Sequence, residues 1–351
     1  MIGRLIIDSQ TLVSGATFTT PQSLRIKQQR RRLEAIFVEC DMPDSVTLSA
    51  PTSESLGNAI GRIVLSVNDA AGSRNLVDAE GIALLDEWVG LGGTLPVKTN
   101  ACVGTLLTTA QALRRVTYPV FIRHPQIEEP TGNLFSLPLY EVNDDPVLTI
   151  TPGTATTVGT GFAFGANHRT RIHLCYRDTV GGGYIPTEIR STNFDALASA
   201  SRAEMEIASN GLLFSLLLQG YTSAAKTTRR ALTGDADHSL ELWYGREQIR
   251  KHSIHFGGDY TGFTNTPCTT VAAGANNFSL AALDGTAFFD LLDDQPMIGA
   301  YNVNSALNLT SIKAGGDVAK VILDKTHASG IFIRSTVRKA LGGPVGLLQG
   351  A

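Results

Sequence analysis

Two histidines in one short stretch form the most metal-like group in the sequence. His252 and His255 are three residues apart, with Asp259 close behind them. On a helix this spacing would put both imidazoles on one face, where they could bind Zn²⁺ together. The surrounding pattern predicts a strand instead, on which the two side chains point to opposite faces. We therefore predict no metal site here, and His168 and His173, which flank another predicted strand, make no better one.

Motifs for catalysis and phosphate binding are also missing from the sequence. It contains neither a Gly-x-Ser-x-Gly elbow nor a Walker A loop. Residues 159–165 approach the dinucleotide-binding fingerprint, but their glycine spacing is one residue too long. The residues that follow predict a strand, whereas phosphate binding needs a helix N-terminus. Acidic pairs such as Asp144-Asp145 lie beside turns, which favours solvated loops over a glycosidase pair. We predict no catalytic, cofactor-binding or metal-binding residue, and no enzymatic activity.

The cysteines carry no spacing typical of a redox or zinc motif. Cys40, Cys102, Cys175 and Cys268 are far apart, and no CxxC occurs. We predict buried free thiols, which fits synthesis in a reducing cytoplasm.

Basic residues are concentrated in a run early in the chain and in a pair near its end. These residues are candidates for facing lipid headgroups or packaged nucleic acid. They are Arg25, Lys27, Arg30, Arg31, Arg32, Arg338 and Lys339. The alternative interpretation is a solvated strand face or a contact between subunits. The net charge of −3 argues against a general nucleic-acid-binding protein.

Composition points to a surface that is partly covered by partners. Charged residues make up only 17% of the 351 residues, below the usual quarter. The 21 arginines outnumber the 8 lysines, as is typical of interfaces, although a GC-rich genome explains this bias equally well. No signal peptide is visible, and the longest apolar run, Leu212 to Leu218, is too short to span a bilayer.

The chain is organised around the stretch from Gly61 to Val89. Apolar residues alternate from Ile63 to Val67, which predicts a strand with one face in a core. Asn, Asp and Gly at 68–73 predict a turn, and residues 78–89 predict a short amphipathic helix with its acidic residues in solvent. Weaker echoes of this unit at 239–249 and 278–294 suggest two similar β domains.

The rest of the chain predicts many short strands and few helices. The predicted strands are Leu33–Cys40, Val116–Arg123, Leu134–Val142, Arg169–Tyr176, Leu212–Leu218, Val303–Leu309, Val318–Leu323 and Gly330–Arg334, with a hairpin over Leu240–Phe256 that turns at Gly245. Helices are predicted over Ala101–Val116 and Asp195–Asn210, and the tail from Ser335 is predicted to fray or to form an exchanged arm. The pattern indicates an all-β protein with a first domain over 1–150, a second over 151–351 and a linker at about 147–165.

One stretch resembles a known family. Residues 62–68 together with Leu84-Leu-Asp-Glu-Trp88 resemble a unit of the double jelly-roll major capsid proteins of tailless icosahedral viruses that contain a membrane, the adenovirus-like lineage. Residues 278–292 look like the same unit in a second roll. These motifs cover about a tenth of the chain.

The resemblance implies a fold and a function together. The fold would be two jelly-roll β-sandwich domains side by side, with a few short helices in connecting loops. The function would be that of a virion coat protein, made in the host cytoplasm and binding no cofactor. Its homotrimers, of pseudo-hexagonal outline, would tile a bacteriophage or other icosahedral shell over a bilayer. Expected partners are neighbouring capsomers, other capsid or membrane proteins and lipid headgroups, but no specific nucleic-acid sequence.

Two functions from other classes stay open at this point. A β-sandwich receptor-binding or carbohydrate-binding viral protein would expose aromatic residues in a cleft, and Tyr260 and Phe263 are candidates. A β-rich glycoside hydrolase would need two carboxylates that face one cleft at a fixed separation.

Overall fold

The fold is described from a computed structural model. It describes residues 4–42, 50–52, 54–91, 97–98, 115–125, 127, 131–179, 181, 183–197, 202–207, 211–230, 232, 239–244, 247–253, 285–291, 307–308, 319–324 and 330–341. The helix predicted over Ala101–Val116 lies outside this part of the chain except for its last two residues, Arg115 and Val116, which are in a strand.

Strands dominate the described residues. The first group is β1 (Leu5–Ser14), β2 (Gln22–Arg25), β3 (Arg32–Asp41), β4 (Ala50–Pro51), β5 (Ile60–Asp69), β6 (Gly72–Ala79), β7 (Val97–Lys98), β8 (Arg115–Phe121), β9 (Leu137–Pro138), β10 (Val147–Pro152), β11 (Gly159–Thr160) and β12 (Arg169–Arg177). The second group is β13 (Thr187–Leu197), β14 (Arg202–Glu206), β15 (Leu212–Tyr221), β16 (Ser239–Tyr244), β17 (Glu247–Ser253), β18 (Thr286–Asp290), β19 (Leu307–Asn308), β20 (Ala319–Asp324) and β21 (Ile331–Ala340). The helical segments are α1 (Gly81–Gly90), α2 (Ala155–Val158) and two 3₁₀ turns at Ser55–Asn58 and Thr131–Phe135. None of the helices in the described ranges is long and apolar enough to cross a membrane.

The strands pair into three larger sheets. One sheet has the order β1-β12-β3-β8-β7, with β9 on β3, and another has the order β14-β20-β16-β17. The third is a nine-stranded sheet, to which both rolls contribute strands. Its order is β18-β15-β21-β13-β6-β5-β10-β2, with β19 on β15. The two-residue strands β4 and β11 pair separately.

The same strand order occurs twice along the chain. We call β1, β2, β3, β5, β6, β8, β10 and β12 the main strands of the first roll, and β13, β14, β15, β16, β17, β18, β20 and β21 those of the second roll. In each roll the first, eighth, third and sixth strands form one sheet, and the second, seventh, fourth and fifth form the other. This is the jelly-roll order, so the described residues confirm the predicted all-β fold with two rolls.

Each roll encloses its own hydrophobic core. The first core lies between the two sheets of the first roll and includes Ile36, Leu65 and Leu174. The second core includes Leu216, Val321 and Ile333. Period-two burial produces both cores, because alternate side chains of each strand face inward.

The two rolls join edge to edge inside the nine-stranded sheet. The fifth strand of the first roll, β6, pairs in parallel with the first strand of the second roll, β13. Ile189 is in register with Val77, and Arg190 with Asp78. A smaller apolar cluster that includes Phe135 and Phe214 adds contacts between the rolls.

Most of the strand predictions are confirmed within the described residues. The segments Leu33–Cys40, Val116–Arg123, Arg169–Tyr176 and Leu212–Leu218 correspond to β3, β8, β12 and β15. The predicted hairpin from Leu240 corresponds to β16 and β17, which pair antiparallel. The prediction around Gly61–Val89 is correct for β5 and α1. It missed β6, which pairs with β5 through a turn at residues 70–71 rather than over the whole of 68–73.

Four local predictions were wrong. The strand predicted over Leu134–Val142 is reduced to the two residues of β9, because the 3₁₀ turn Thr131–Phe135 covers its start and turns follow it. The helix predicted over Asp195–Asn210 is the end of β13 followed by β14. In β14 the exposed Arg202, Glu204 and Glu206 alternate with the buried Ala203 and Met205, which is a strand period that was misread as helical.

The other two concern segments expected outside the sheets. Residues 335–340, predicted to fray, belong to β21, which lies between β13 and β15. Residues 147–152, predicted to begin a linker, form β10 between β5 and β2.

Candidate functional site

Three of the seven predicted basic residues are buried inside the chain. Arg32 has no exposed surface, and its guanidinium donates to the carbonyl oxygens of Asn133, Gly181 and Gly183 at 2.8, 3.0 and 3.1 Å. Arg338 and Lys339 are also buried, and they form ion pairs with Glu87 and Glu188, respectively. Their charges stabilise contacts within the chain, which corrects the expectation that they face a membrane or nucleic acid.

The other four basic residues lie at the end of β2 and in the loop before β3. Arg25, Lys27 and Arg30 are exposed and Arg31 is half-buried. The Lys27 ammonium lies 3.2 Å from Asp145, which also accepts a hydrogen bond from the Gln28 backbone at 2.9 Å. That backbone donor, followed by Lys27, lowers the pKa of Asp145 below its usual value. The loop is therefore basic but has carboxylates beside it.

The densest polar cluster of the described residues lies where α1 of the first roll meets strands of the second roll. We call it the seam and define it by Glu54, Asp86 and Glu87 of the first roll and Arg229, Arg334 and Arg338 of the second. All six side chains are at most 9% exposed. The helix places Asp86 and Glu87 against β15 and β21, so the expectation that these two acids face solvent was wrong.

Arg338 and Glu87 form a two-point ion pair across the seam. Arg338 Nε lies 2.7 Å from Glu87 Oε1, and Nη2 lies 2.9 Å from Oε2. The second guanidinium branch donates to the carbonyl oxygen of Phe121, also in the first roll. Ser215 Oγ adds a hydrogen bond to Glu87 at 3.4 Å. This fork geometry fixes both the distance and the orientation of β21 relative to α1.

Tyr221 lies between the two other arginines of the seam. The guanidinium carbons of Arg229 and Arg334 are each 5.1 Å from the centre of its ring. Its hydroxyl donates to Glu54 at 2.6 Å and accepts from Arg334 at 2.7 Å. Arg229 pairs with Glu54 and with Asp86, each at 2.6 Å. One aromatic ring thus organises a network of alternating charges.

The two carboxyl groups that face Arg229 have opposite pKa shifts. Burial alone would raise the pKa of Glu54, but Arg229 and Arg334 outweigh it and lower that pKa. At Asp86 burial is the larger effect and raises the pKa, although Arg229 opposes it. Removing one partner of such a buried pair costs about 3–5 kcal/mol, because the other charge is left without compensation. The seam therefore specifies how the rolls fit together.

Two edge strands in the described part of the chain, β1 and β17, lack the second strand neighbour that β6 and β13 give each other where the rolls join. Within the described residues β1 pairs only with β12, and β17 pairs only with β16. Leu5 and Ile7 of β1 are 54% and 60% exposed, and they are the exposed large hydrophobic residues of the described chain. An exposed apolar edge strand is a surface suited to pairing with another chain.

The two cysteines that the structure describes are poorly placed to act as nucleophiles. Cys40 and Cys175 are free and buried, as predicted, and burial raises the pKa of both thiols. The Cys40 sulfur is 3.8 Å from His168 Nε2, but a buried thiol of raised pKa is a poor nucleophile. The described residues contain no group of three or more His, Cys, Asp or Glu that could hold a metal ion. The His252 side chain, His255, Asp259, Tyr260, Phe263, Cys102 and Cys268 lie outside the described part.

Comparison with known proteins gave results only at the level of structure. No family model and no curated protein sequence matches the chain. The major capsid protein of STIV, the Sulfolobus Turreted Icosahedral Virus, superimposes with a TM-score of 0.68 and 14% identity, over 99% of this chain and 100% of that chain. The chain has the double jelly-roll fold.

Other structures share the double jelly roll at lower similarity. Major capsid protein P2 of bacteriophage PM2 matches with a TM-score of 0.54 and 10% identity, covering 96% of this chain and 98% of that one. The capsid protein of the virus PBCV-1 matches with a TM-score of 0.54 and 11% identity, covering 97% and 94%. The low identities explain why sequence comparison found nothing, and the predicted resemblance to this fold is confirmed.

Sequence reasoning missed the seam. Of its three arginines, only Arg338 was given a role, facing a membrane or nucleic acid, and the acids of α1 were predicted to face solvent. One signal was available: α1 also contains the apolar Ile82, Leu84 and Leu85, so its apolar residues surround most of the helix and leave little room for a solvent face.

Proposed function

We propose that this protein is the major capsid protein of an icosahedral virus, a structural coat protein that forms trimeric capsomers over an internal membrane. The observation that supports this most is the full-length match to the STIV capsid protein, which includes both rolls and their order. A fold alone does not fix a function. Here the match extends over the whole length of a major capsid protein.

The physical character of the chain supports a structural role. The rolls are locked by a buried seam, which suits a building block that must keep one shape under load. Because each chain has two similar rolls, a trimer contains six similar units and has a nearly hexagonal outline. Such an outline packs a flat facet with nearly equivalent contacts. The low charged fraction of 17% fits a surface that is covered by neighbouring copies.

The first test is the solution mass of the full chain by light scattering on a sizing column. We expect a stable species near three times the chain mass of 37.4 kDa, together with hexagonal particles in negative stain. A protein that remains at 37.4 kDa at high concentration would overturn the proposal.

We also propose a later division between the two domains than the predicted one near residue 150. Among the described strands, β10 and β12 pair with strands of the first roll alone, and Leu174 and Tyr176 belong to its core. A boundary between Arg177 and Thr187 leaves each jelly roll complete. Limited proteolysis of the folded chain tests this, because cuts at the boundary should leave two fragments that separate only under denaturing conditions.

Finally, we propose that the exposed loop with Arg25, Lys27, Arg30 and Arg31 faces anionic headgroups. Each basic residue near such a surface contributes about 1 kcal/mol, so replacing two should weaken binding about tenfold or more. The test is co-sedimentation with anionic vesicles of the full chain carrying Lys27→Ser and Arg30→Ser. Arg190→Ser, an exposed arginine elsewhere, is the control, and equal losses from both changes would refute this role.

A further inference from the structure

The two rolls of one chain are joined in a way that a second copy can repeat. The junction inside the chain places the fifth strand of the first roll, β6, beside the first strand of the second roll, β13. The strands with the same ordinal positions at the other ends are β17, the fifth of the second roll, and β1, the first of the first roll. In the described residues each of these has a partner on one side only.

The pairing register identifies which residues of β1 correspond to which residues of β13, the first strands of the two rolls. In each roll the first residue of the first strand, Leu5 or Thr187, pairs with the last residue of the eighth strand. Counting from these residues, Ile7 occupies the position of Ile189.

The environments of these two isoleucines differ greatly. Ile189 is completely buried, and although its strand belongs to the second roll, its side chain packs into the core of the first roll. Ile7 is 60% exposed. The same position is thus covered where a preceding roll is present and uncovered where none is. Burying such an apolar side chain is favourable, so the exposure of Ile7 favours association.

Register also aligns the two fifth strands. Counted from the hairpin turn, Val77 and His252 both belong to the fifth register pair of their hairpins, and Asp78 and Ser253 both belong to the sixth. Each hairpin also has a register shift on the fifth strand, between the fourth and fifth pairs in β6 and between the second and third pairs in β17. Both shifts come before the fifth pair, so the aligned residues hold the same register positions on the two edges.

From this repetition we propose that β17 of one copy lies beside β1 of the next copy, in parallel, and reproduces between chains the β6–β13 junction within the chain. The proposed occupant of the β1 edge is a second copy of this protein. Ile7 is then in register with His252 of the neighbouring copy, and Asp8 with its Ser253. The inference rests on the proposed capsid function and specifies the interface through which capsomers form.

This contact uses two different edges, so it is heterologous and must close into a ring to give a finite particle. In a ring of three copies, three junctions within chains alternate with three between chains. All six then have the same strand partners, which explains how two rolls per chain could give a six-sided outline.

Disulfide trapping tests the register. In the full chain, Ile7→Cys is combined with His252→Cys, and Asp8→Cys with Ser253→Cys. Adjacent strands lie about 5 Å apart, within the Cα range of a disulfide. We expect oxidation with copper–phenanthroline to give covalent dimers and trimers on a non-reducing gel. The control pair, Ile7→Cys with Glu247→Cys, is displaced by about 16 Å along β17 and should not cross-link.

The single-cysteine variants measure the background from the four native cysteines. A wild-type chain that is oligomeric, with no cross-link above that background in either pair, would overturn the junction and leave the capsid proposal standing. Equal cross-linking by the control pair would also overturn the junction. A wild-type chain that is monomeric would instead overturn the proposed function, and the junction with it.

A second variant reports on the contact without cysteine chemistry. Ile7→Lys places a charge where the neighbouring copy would cover it, and the residue is exposed in the single chain, so folding should be unaffected. We expect the dissociation constant of the oligomer to rise at least tenfold. Ser23→Lys, an exposed change on the edge strand β2, is the control, because the repeat places no junction there. Oligomers of equal stability in both variants would contradict the inference.

Discussion

At the scale of single residues, the buried charges of the seam determine the relative position of the two rolls. Arg338 and Glu87 are 1% and 4% exposed, so each is tolerated in the interior only because the other is there. Pairs of this kind add little net stability compared with apolar residues, but they penalise any arrangement in which the partners separate. Their value is therefore in specifying one relative position of the two rolls.

We expect Arg338→Met to destabilise the chain by about 3–5 kcal/mol, because it leaves the Glu87 carboxylate buried without its partner. Removing both charges with Arg338→Met and Glu87→Leu should recover part of this loss. Chemical denaturation measures both. Arg190→Met, at an arginine whose side chain is 66% exposed, is the control and should cost less than about 1 kcal/mol. Equal losses of stability from Arg338→Met and Arg190→Met would show that the ion pair between Arg338 and Glu87 has no special role.

His124 should make the stability fall on mild acidification. Burial, and then the charge of Arg338, hold its pKa well below 6.5 in the folded chain. As the pH falls through about 6.5, the unfolded chain binds a proton that the folded chain does not. The folded state therefore loses up to about 1.4 kcal/mol per pH unit below that value, until the folded pKa is reached.

The measurement is the denaturation midpoint of the wild type and of His124→Gln between pH 7.5 and 5. We expect the wild type to lose more stability over this interval than the variant does. Phe135→Leu, in the apolar cluster beside His124, should lower stability equally at every pH and keep the wild-type slope. An unchanged slope in His124→Gln would contradict this account.

At the scale of elements, α1 is positioned by close approach of its first residue to two strands. A β-carbon on Gly81 would collide with the Ile60 carbonyl oxygen and would lie 2.8 Å from the Tyr118 ring. The Tyr118 hydroxyl accepts a hydrogen bond from the Ile60 amide at 3.1 Å, so neither group can move away freely. The absence of a side chain at Gly81 lets α1 dock and present its acids to the second roll.

We therefore expect Gly81→Ala to cost about 1–3 kcal/mol through overpacking, measured as a lower denaturation midpoint. Gly183→Ala is the matched control, since its β-carbon would have 3.7 Å to the nearest heavy atom, in Leu134. Similar behaviour of the two variants would mean that α1 is not held by this contact.

How much of the fold the sequence predicts depends on how local each signal is. β12 alternates polar and apolar residues, and β3 contains the short apolar run Ala35–Val38, and such local patterns were sufficient to predict both strands. β6 was missed because its first four residues, Gly72 to Asn75, are glycine or polar and look like a continuation of the preceding turn. The apolar residues of α1 could have indicated that its acids are buried, but the ion pairs of the seam could not be predicted, because they join residues far apart in the chain.

At the scale of the whole molecule, the rolls are distinct in their cores but continuous in their backbone. The nine-stranded sheet crosses from one roll to the other, and the seam joins them beside it. Two sandwiches connected only by a flexible linker would unfold independently. The ion pairs of the seam instead couple the two rolls, because each roll is stabilised by the folded state of the other.

This coupling predicts one cooperative unfolding transition for the wild-type chain in calorimetry. Replacing Asp86 and Glu87 with Asn and Gln keeps hydrogen-bonding groups of similar shape but removes two of the three negative charges of the seam. Arg338 then loses its carboxylate partner and Arg229 keeps only Glu54, so the free energy that links the rolls falls. We expect the single transition to split into two, or to broaden with a separate shoulder, as the rolls begin to unfold one at a time.

A change confined to one core distinguishes coupling from general weakening. Leu65→Ala in the first roll should cost about 2–5 kcal/mol and lower the midpoint, yet leave a single transition, because the seam is intact and the second roll follows the first. If Leu65→Ala splits the transition as readily as the seam variant does, or if the wild type already shows two transitions, the seam does not couple the rolls. Their fixed relation would then have to come from the assembled shell rather than from the chain.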